Sequence, residues 1–458
     1  MEALMLELGV LLLEVDSMVL DKALKHALSL GASEAEIYIT ENTMKQFMFS
    51  NYLKSSKTSF SSGIGVRVFY GKRMGMSSST SLNDALKCVE DACRIAKASP
   101  EDPGWSSLPE SLSRGFVKDV YDRETAYISY DVIMDAIKSI VDNVRDSSSK
   151  TSLSRGYIEV SSGSVRITNS YGGYLERLYT YVYSWIDIVA EELNGKATGT
   201  SHCETRSWFK LDFKRMVDDA LVKALDFINA KPIKGGVMPI VFDADVFSRI
   251  IDTMFSISLS ADEVQKGRSP YVGKLNSRVA MDSITLIDDG LLTGGFGSRE
   301  FDDDGIKPER NILIENGILK TFLYDNYTAK KEGRKSTGNA HRSYHSTPKP
   351  APNNLILKPG DLMLEEILEI IGNGLYVIDT IGEWLSSPVS GNLNATVTHA
   401  YLIENGRIGK PVKGVTVSGD FNKMICEGVK GIGKILKQYR NIYSPTIAID
   451  GVVVSGIS

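Results

Sequence analysis

The sequence predicts an α+β protein of two mixed α/β units, the N-terminal one an antiparallel sheet with helices and the C-terminal one strand-rich and built on hairpins. Three observations lead there. Segments with apolar residues three and four apart alternate with short strand-like runs bounded by glycine. The run Ala230-Lys231-Pro232-Ile233-Lys234-Gly235-Gly236 is the clearest boundary in the chain, and beyond it the turns Asn316-Gly317 and Asn405-Gly406 are hairpin signals. A length of 458 residues allows two or three domains at about 150 residues each. The expected divisions are 1–99, then 113–230 completing the same N-terminal unit, then 235–458.

Each element follows from its pattern. Val19, Leu20, Ala23, Leu24, Ala27 and Leu28 share a helical face over Met18 to Leu30, and Gly31 follows as the left-handed stop. Glu36 to Thr40, Gln46 to Leu53 and Gly63 to Tyr70 read as three strands, with Gly71 to Gly75 turning the last into a hairpin. Ser81 is placed to cap a helix from Leu82 to about Ala98. Pro100, Pro103 and Pro109 then force a loop. A helix near Tyr130 to Arg145 precedes strands at Gly156 to Ser161, Val165 to Asn169 and Tyr174 to Glu191, the last two joined through Tyr171-Gly172-Gly173. Helical spacing returns from Phe213 to Ala230. In the second half, Val237 to Phe242 is a buried strand, Asp243 to Ser258 an amphipathic helix and Arg310 to Tyr324 a hairpin. Asn354 to Lys358, Leu375 to Thr380 and Ala400 to Gly406 read as strands, Leu364 to Ile371 and Phe421 to Tyr439 as helices, and Thr446 to Val454 as the terminal strand.

Composition removes several function classes. With 52 Lys+Arg against 57 Asp+Glu the net charge is −5, which supplies no footprint for strong nucleic-acid binding and no basic patch for a membrane. Met1 to Val15 is apolar but broken by Glu2, Glu7 and Glu14 and lacks a basic leader, so neither a signal peptide nor a membrane span is expected. The first 17 residues are expected to be a weakly attached helix or an over-long start. Cys88, Cys93, Cys203 and Cys426 form no CxxC pair, and Cys88 and Cys93 lie about 140° apart on a helix. That usage fits a reducing cytosol.

Few motifs carry chemistry. The five histidines contain no His-Glu-x-x-His. His341 and His345 have the i, i+4 spacing of helical chelation, which keeps a metal-dependent hydrolase open as an alternative. Pro348, Pro350 and Pro352 argue instead for a solvated loop. Gly428 to Lys434 matches a phosphate loop up to Ile435, which replaces the required hydroxyl, so its glycines are expected to ease helix packing. Asp302 to Gly305 suggests a calcium loop, but Asn311 stands where a bidentate Glu belongs, leaving an acidic turn. No GxSxG elbow exists. The polar run Lys335 to Arg342 is where a ligand would be sought, with Ser336, Thr337, Asn339 and Arg342 as peptide or interface candidates.

These segments resemble the TldD/PmbA family over about Ala23 to Gly456. The resemblance rests on Gly63-Ile64-Gly65-Val66-Arg67-Val68, Gly75 to Ser79, Ile167 to Gly172, Phe301 to Gly305, Asn316 to Leu319, Ser336 to Asn339, Asn353 to Gly360, Ile403 to Gly406 and Ser444-Pro445. Their order and spacing carry it, since each alone is weak.

The resemblance implies a cytosolic peptidase of two related subunits, a TldD type bearing zinc and a PmbA (TldE) type without it, acting on unfolded peptides and maturing peptide antibiotics. The family's zinc helix carries His-Glu-x-x-x-His, and a Cys near the last strand completes the site. Here the matching stretches are Thr253 to Ser260, with neither His nor Glu, and Asn441 to Ser444, with no Cys. The expectation is a non-catalytic PmbA-like chain with no cofactor of its own, zinc lying in a TldD-type partner. A heterodimer, or a homodimer when that partner is missing, would close a cleft on an extended peptide. The family's label as a modulator of DNA gyrase implies a competing role as a non-enzymatic binding protein.

Overall fold

A computed structural model describes residues 20–193 and 195–456. The expectations for residues 1–17 and for the helix start at Met18 lie outside these residues. The first described element is a helix over residues 20–29.

Six strands then form one antiparallel sheet: β1 (Glu34–Phe49), β2 (Leu53–Tyr70), β3 (Arg73–Ser79), β4 (Thr151–Asn169), β5 (Tyr174–Glu192) and β6 (Gly195–Thr205), in the order β3-β2-β1-β4-β5-β6. Alternation assigns its two faces. Ile37, Ile39, Ile64, Val66 and Val68 pack under helix 20–29 and helix Ala85–Ala98, while Ile158, Val160, Val182 and Ile186 pack under helices Tyr130–Ser147 and Phe213–Asp226. On the opposite face Tyr38, Val165 and Ile167 meet Phe301 and Tyr344 of the second unit.

That second unit contains β7 (Gly236–Phe242), β8 (Leu286–Asp289), β9 (Arg310–Glu315), β10 (Ile318–Leu319), β11 (Ala340–His341), β12 (Lys349–Pro350), β13 (Leu355–Leu357), β14 (Gly374–Ile381), β15 (Asn392–Glu404), β16 (Arg407–Val412), β17 (Val415–Asp420), β18 (Val429–Tyr439) and β19 (Ile442–Ser455). Strands β19, β17, β15, β14 and β7 pair in a closed ring, because β7 also pairs with β19. The ring, extended by β13, β8, β9 and β10, encloses a core with Phe242, Phe247, Leu286, Leu313, Val397, Phe421 and Ile447. Helix Ala244–Phe255 starts straight after β7, its first turn closed by Asp243, whose side chain accepts from the Asp245 N–H.

Several sequence expectations are corrected. Gln46 to Leu53 is not a strand of its own: it is the end of β1, a tight turn and the start of β2, paired in one continuous hairpin. Gly156 to Ser161 and Val165 to Asn169 are parts of the single strand β4. The turn after β2 needs only Gly71 and Lys72, with β3 starting at Arg73. Ser81 makes no side-chain cap; residues Leu82–Asp84 form a 3₁₀ turn and Ser79 donates to Asp84 at 2.6 Å. Helix Phe213–Asp226 stops short of Ala230, and the return strand of the Asn316-Gly317 hairpin, β10, has only two residues. The largest change is at Phe421 to Tyr439. Only Phe421–Lys423 and a π turn at Met424–Gly428 are helical, and β18 follows. Its glycines therefore serve a strand: a Cβ on Gly431 would sit 3.1 Å from Leu362, and the backbone beside Gly433 pairs with Leu362.

Candidate functional site at the seam of the two units

The acidic turn Asp302-Asp303-Asp304-Gly305 is buried, not solvated, and lies under the free face of the six-stranded sheet. Glu36 of β1 and Arg67 of β2 are direct cross-strand partners, bonded at 2.9 and 3.1 Å, and Arg67 reaches on to Asp304 at 3.2 Å. From the second unit Arg342 donates to the same Glu36 at 2.6 Å with its guanidinium 4.1 Å from the Tyr38 ring centroid. Asp303 collects Arg177 at 2.7 Å, the Arg342 N–H at 2.9 Å and Arg299 at 3.4 Å. Burial alone would push both acids up. The arginines overcome it, holding Glu36 below the usual carboxylate range and Asp303 down to about 2. Two glycines complete the junction: a Cβ on Gly65 would lie 1.9 Å from the Tyr344 carbonyl oxygen, and one on Gly63 2.4 Å from the Tyr344 ring.

Of the polar residues singled out from sequence, Arg342 bonds across this seam, while Ser336, Thr337 and Asn339 bond within the second unit. Ser336 and Thr337 both donate to the Tyr324 carbonyl at 3.1 Å, and Asn339 donates to Asp288 at 2.7 Å and to the Ala351 carbonyl at 3.0 Å. The Asp288 carboxyl, enclosed on all sides, is pushed up to about 7 by burial. These side chains and Arg342 therefore tie loops together inside the fold. His341 is not in a solvated loop. It sits in β11, its imidazole pressed down to about 3 by burial and by Arg299. His345 is exposed, edge-on to Tyr344.

A cleft of about 550 Å³ opens elsewhere along the seam, between β6, helix Phe213–Asp226, the start of helix Ala244–Phe255 and β18. His202 is its central group and was not singled out by sequence reasoning. Its Nδ1 bonds Glu204 at 2.9 Å and its Nε2 bonds Asp245 at 2.8 Å, so both ring nitrogens donate. Burial disfavours the cation, but the two carboxylates raise His202 to about 10, while Asp245 is held well below its ordinary value. A histidine so engaged has no lone pair for a metal and no basicity for proton abstraction at neutral pH. Beside it Asp243 receives Tyr376 at 2.8 Å and Lys437 at 3.0 Å, and Arg249 links Asp245, Asp379 and Glu383. The charged groups of the cleft are thus paired with one another, beside an apolar lining that includes Met216, Val222, Ile378 and Ile435.

Comparison with known proteins agrees with this architecture. Residues 35–96 match the PmbA/TldA metallopeptidase domain 1, residues 123–227 its central domain and residues 235–456 its C-terminal domain. The chain belongs to the PmbA/TldD family. A metalloprotease PmbA homolog of Haemophilus influenzae is 26% identical over 86% of this chain and 85% of its own. An uncharacterized protein of Methanocaldococcus jannaschii is 26% identical over 95% of this chain and 100% of its own. TldE from Thermococcus kodakarensis has the same fold, with a TM-score of 0.87 at 23% identity, covering 95% of this chain and 99% of that one.

The PmbA/TldD zinc scheme implied by the sequence resemblance finds no donors here. In the stretch Thr253 to Ser260, Met254, Phe255 and Leu259 are packed into the core of the closed ring, and Ser260 donates to the Pro350 carbonyl. Asn441 donates to the Asn353 carbonyl at 2.8 Å, and Ser444 to that of Pro445 at 3.0 Å. Neither stretch has an imidazole, thiolate or carboxylate, and among the described residues no three His, Cys, Asp or Glu side chains converge as a metal site. These residues do not fit a zinc ion.

Proposed function

We propose that this chain is the PmbA/TldE-type, non-catalytic subunit of a cytosolic TldD/TldE-type metallopeptidase acting on unfolded peptides. The observation that carries the reading is the stretch 253–260, without imidazole, thiolate or carboxylate, in a chain that otherwise keeps all three domains of a metallopeptidase family. A TldD-type partner supplies zinc, and this chain closes one side of the substrate space. Two features bear on holding an extended peptide: β6 is the last strand of its sheet, with no strand on its outer edge among the described residues although Lys413 and Lys223 donate to its Lys196 and Thr200 carbonyls, and its side chains line the cleft at His202. The alternative through His341 and His345 lacks support, because His341 is enclosed among arginines.

The test is metal content and peptidase activity of the purified chain, alone and mixed with the zinc-type sibling from the same organism. A metal-free, inactive chain that raises cleavage in the mixture is expected. Stoichiometric zinc with cleavage by the chain alone would overturn the proposal.

A further inference from the structure

We propose that a groove of about 690 Å³ on the helix-bearing face of the six-stranded sheet binds a nucleoside monophosphate, with the base on the Phe60 and Tyr127 rings and the phosphate on Lys45. This inference is independent of the zinc-partner reading. The volume lies inside the range of about 300–1,000 Å³ for ligand pockets.

The groove is the gap between two helix layers. On β1 the alternation that starts at Ile37 and Ile39, under helices 20–29 and Ala85–Ala98, ends at Phe47 and Phe49, under helices Tyr130–Ser147 and Phe213–Asp226. Between these ends the same face carries Glu41, Thr43 and Lys45, which line the groove. Thr43 pairs with Phe60 of β2 and Ser162 of β4, and Glu41 with Ser62 and Ser164, so a floor of hydroxyls crosses three strands.

Three kinds of group meet there, and each is free. Phe60 is 80% exposed and Tyr127 76%, and no other ring packs on either among the described residues, so a flat base can stack on them. The hydroxyls of Thr43, Ser162 and Ser164 hold no hydrogen bond among the described residues, which leaves them for ribose and phosphate oxygens. Lys45 donates once, to the Ile128 carbonyl at 2.6 Å beside Tyr127, and its ammonium keeps two N–H groups. No carboxylate is within ion-pair distance of it among the described residues, and burial alone, with no neighbouring charge opposing it, holds its pKa below the ordinary value. Among the described residues Glu41 is the one carboxylate of the lining. It is bonded to Arg166 at 2.9 Å, and its Cα stands about 13 Å along β1 from that of Lys45. A simple carboxylate would occupy the ammonium and leave the floor hydroxyls idle, whereas a base, a ribose and a phosphate use all three kinds of group.

Calorimetric titration of the full chain tests this with AMP, adenosine, ribose 5-phosphate and inorganic phosphate. AMP is expected to saturate, with each of the other three weaker by about tenfold or more. Lys45→Gln removes the charge and keeps a donor for the Ile128 carbonyl, and Phe60→Ser removes a ring that lies outside the core. Each should weaken AMP about tenfold, and Lys45→Gln should leave adenosine unchanged. A second readout is acylation of Lys45 by acetic anhydride, followed by mass spectrometry of the digested chain. AMP should slow it about tenfold. No saturation by AMP up to about 10 mM, inorganic phosphate binding as tightly as AMP, unchanged AMP affinity in either variant, or a Lys45 that AMP leaves unprotected would each overturn the proposal.

Discussion

Glu36 accepts charge from two arginines that belong to different units, Arg67 within its own sheet and Arg342 across the seam. A neutral side chain there leaves two buried guanidinium groups with one acceptor fewer. Glu36→Gln should therefore cost about 3–5 kcal/mol, seen as a lower denaturation midpoint. An unchanged midpoint would mean that the arginines find other partners. His202 gives a second prediction, in pH. Its folded value is about 10 against an ordinary 6.5. The folded chain therefore holds a proton that the unfolded chain releases. This stability is complete below about pH 6.5 and is lost as pH rises through about 10. Denaturation midpoints measured across that window should fall more steeply in the native chain than in His202→Gln, and parallel curves would refute the assignment. Neither residue stood out in the sequence. Glu36 and Arg67 sit in runs of strand alternation, where a lone charge reads as a solvent-facing position, and only the docking of a second unit turns that face inward.

Tyr344 lies across β2 at the two glycines that leave room for it. Gly65→Ala places a methyl group against a carbonyl oxygen that cannot swing aside, so the loop holding Arg342 must lift. About 1–3 kcal/mol of destabilisation is expected, with increased protease cutting near residues 342–348. Protection of that loop equal to the parent's would contradict it. Legibility of the elements followed the same physics. Asn316-Gly317 and Asn405-Gly406 were readable because the first three of these residues have φ of 47°, 77° and 52°, which few other residues adopt, and Gly406 has 75°. Strand β18 was misread as a helix because its pairing with β19 shifts register between Ile432 and Leu436. The bulge breaks the period of two and leaves Ile432, Ile435, Leu436 and Tyr439 at helical spacing. β1 was divided because its middle, Glu41 to Lys45, is half-buried and, Met44 apart, polar on both faces, which erases alternation over five residues of an unbroken strand.

At the scale of the molecule, the α+β class was written in the apolar pattern, and the family was readable from the order of short motifs. What could not be read was the seam. Its residues come from β1, β2, β4, β5 and loops near 300 and 340, and nothing local marks them as neighbours. The chain has no helix long and apolar enough to cross a membrane among its described residues. The closed ring of the second unit also bears on how the protein is made. β7 and the β19 segment that seals against it lie about 200 residues apart. At about 5–20 residues per second, translation needs roughly 10–40 s to bridge that interval. The hairpin-linked strands of the first sheet are complete before it begins, whereas β7 waits beside the growing chain with an open edge. During each round of synthesis that edge is an open template on which a neighbouring nascent chain can pair.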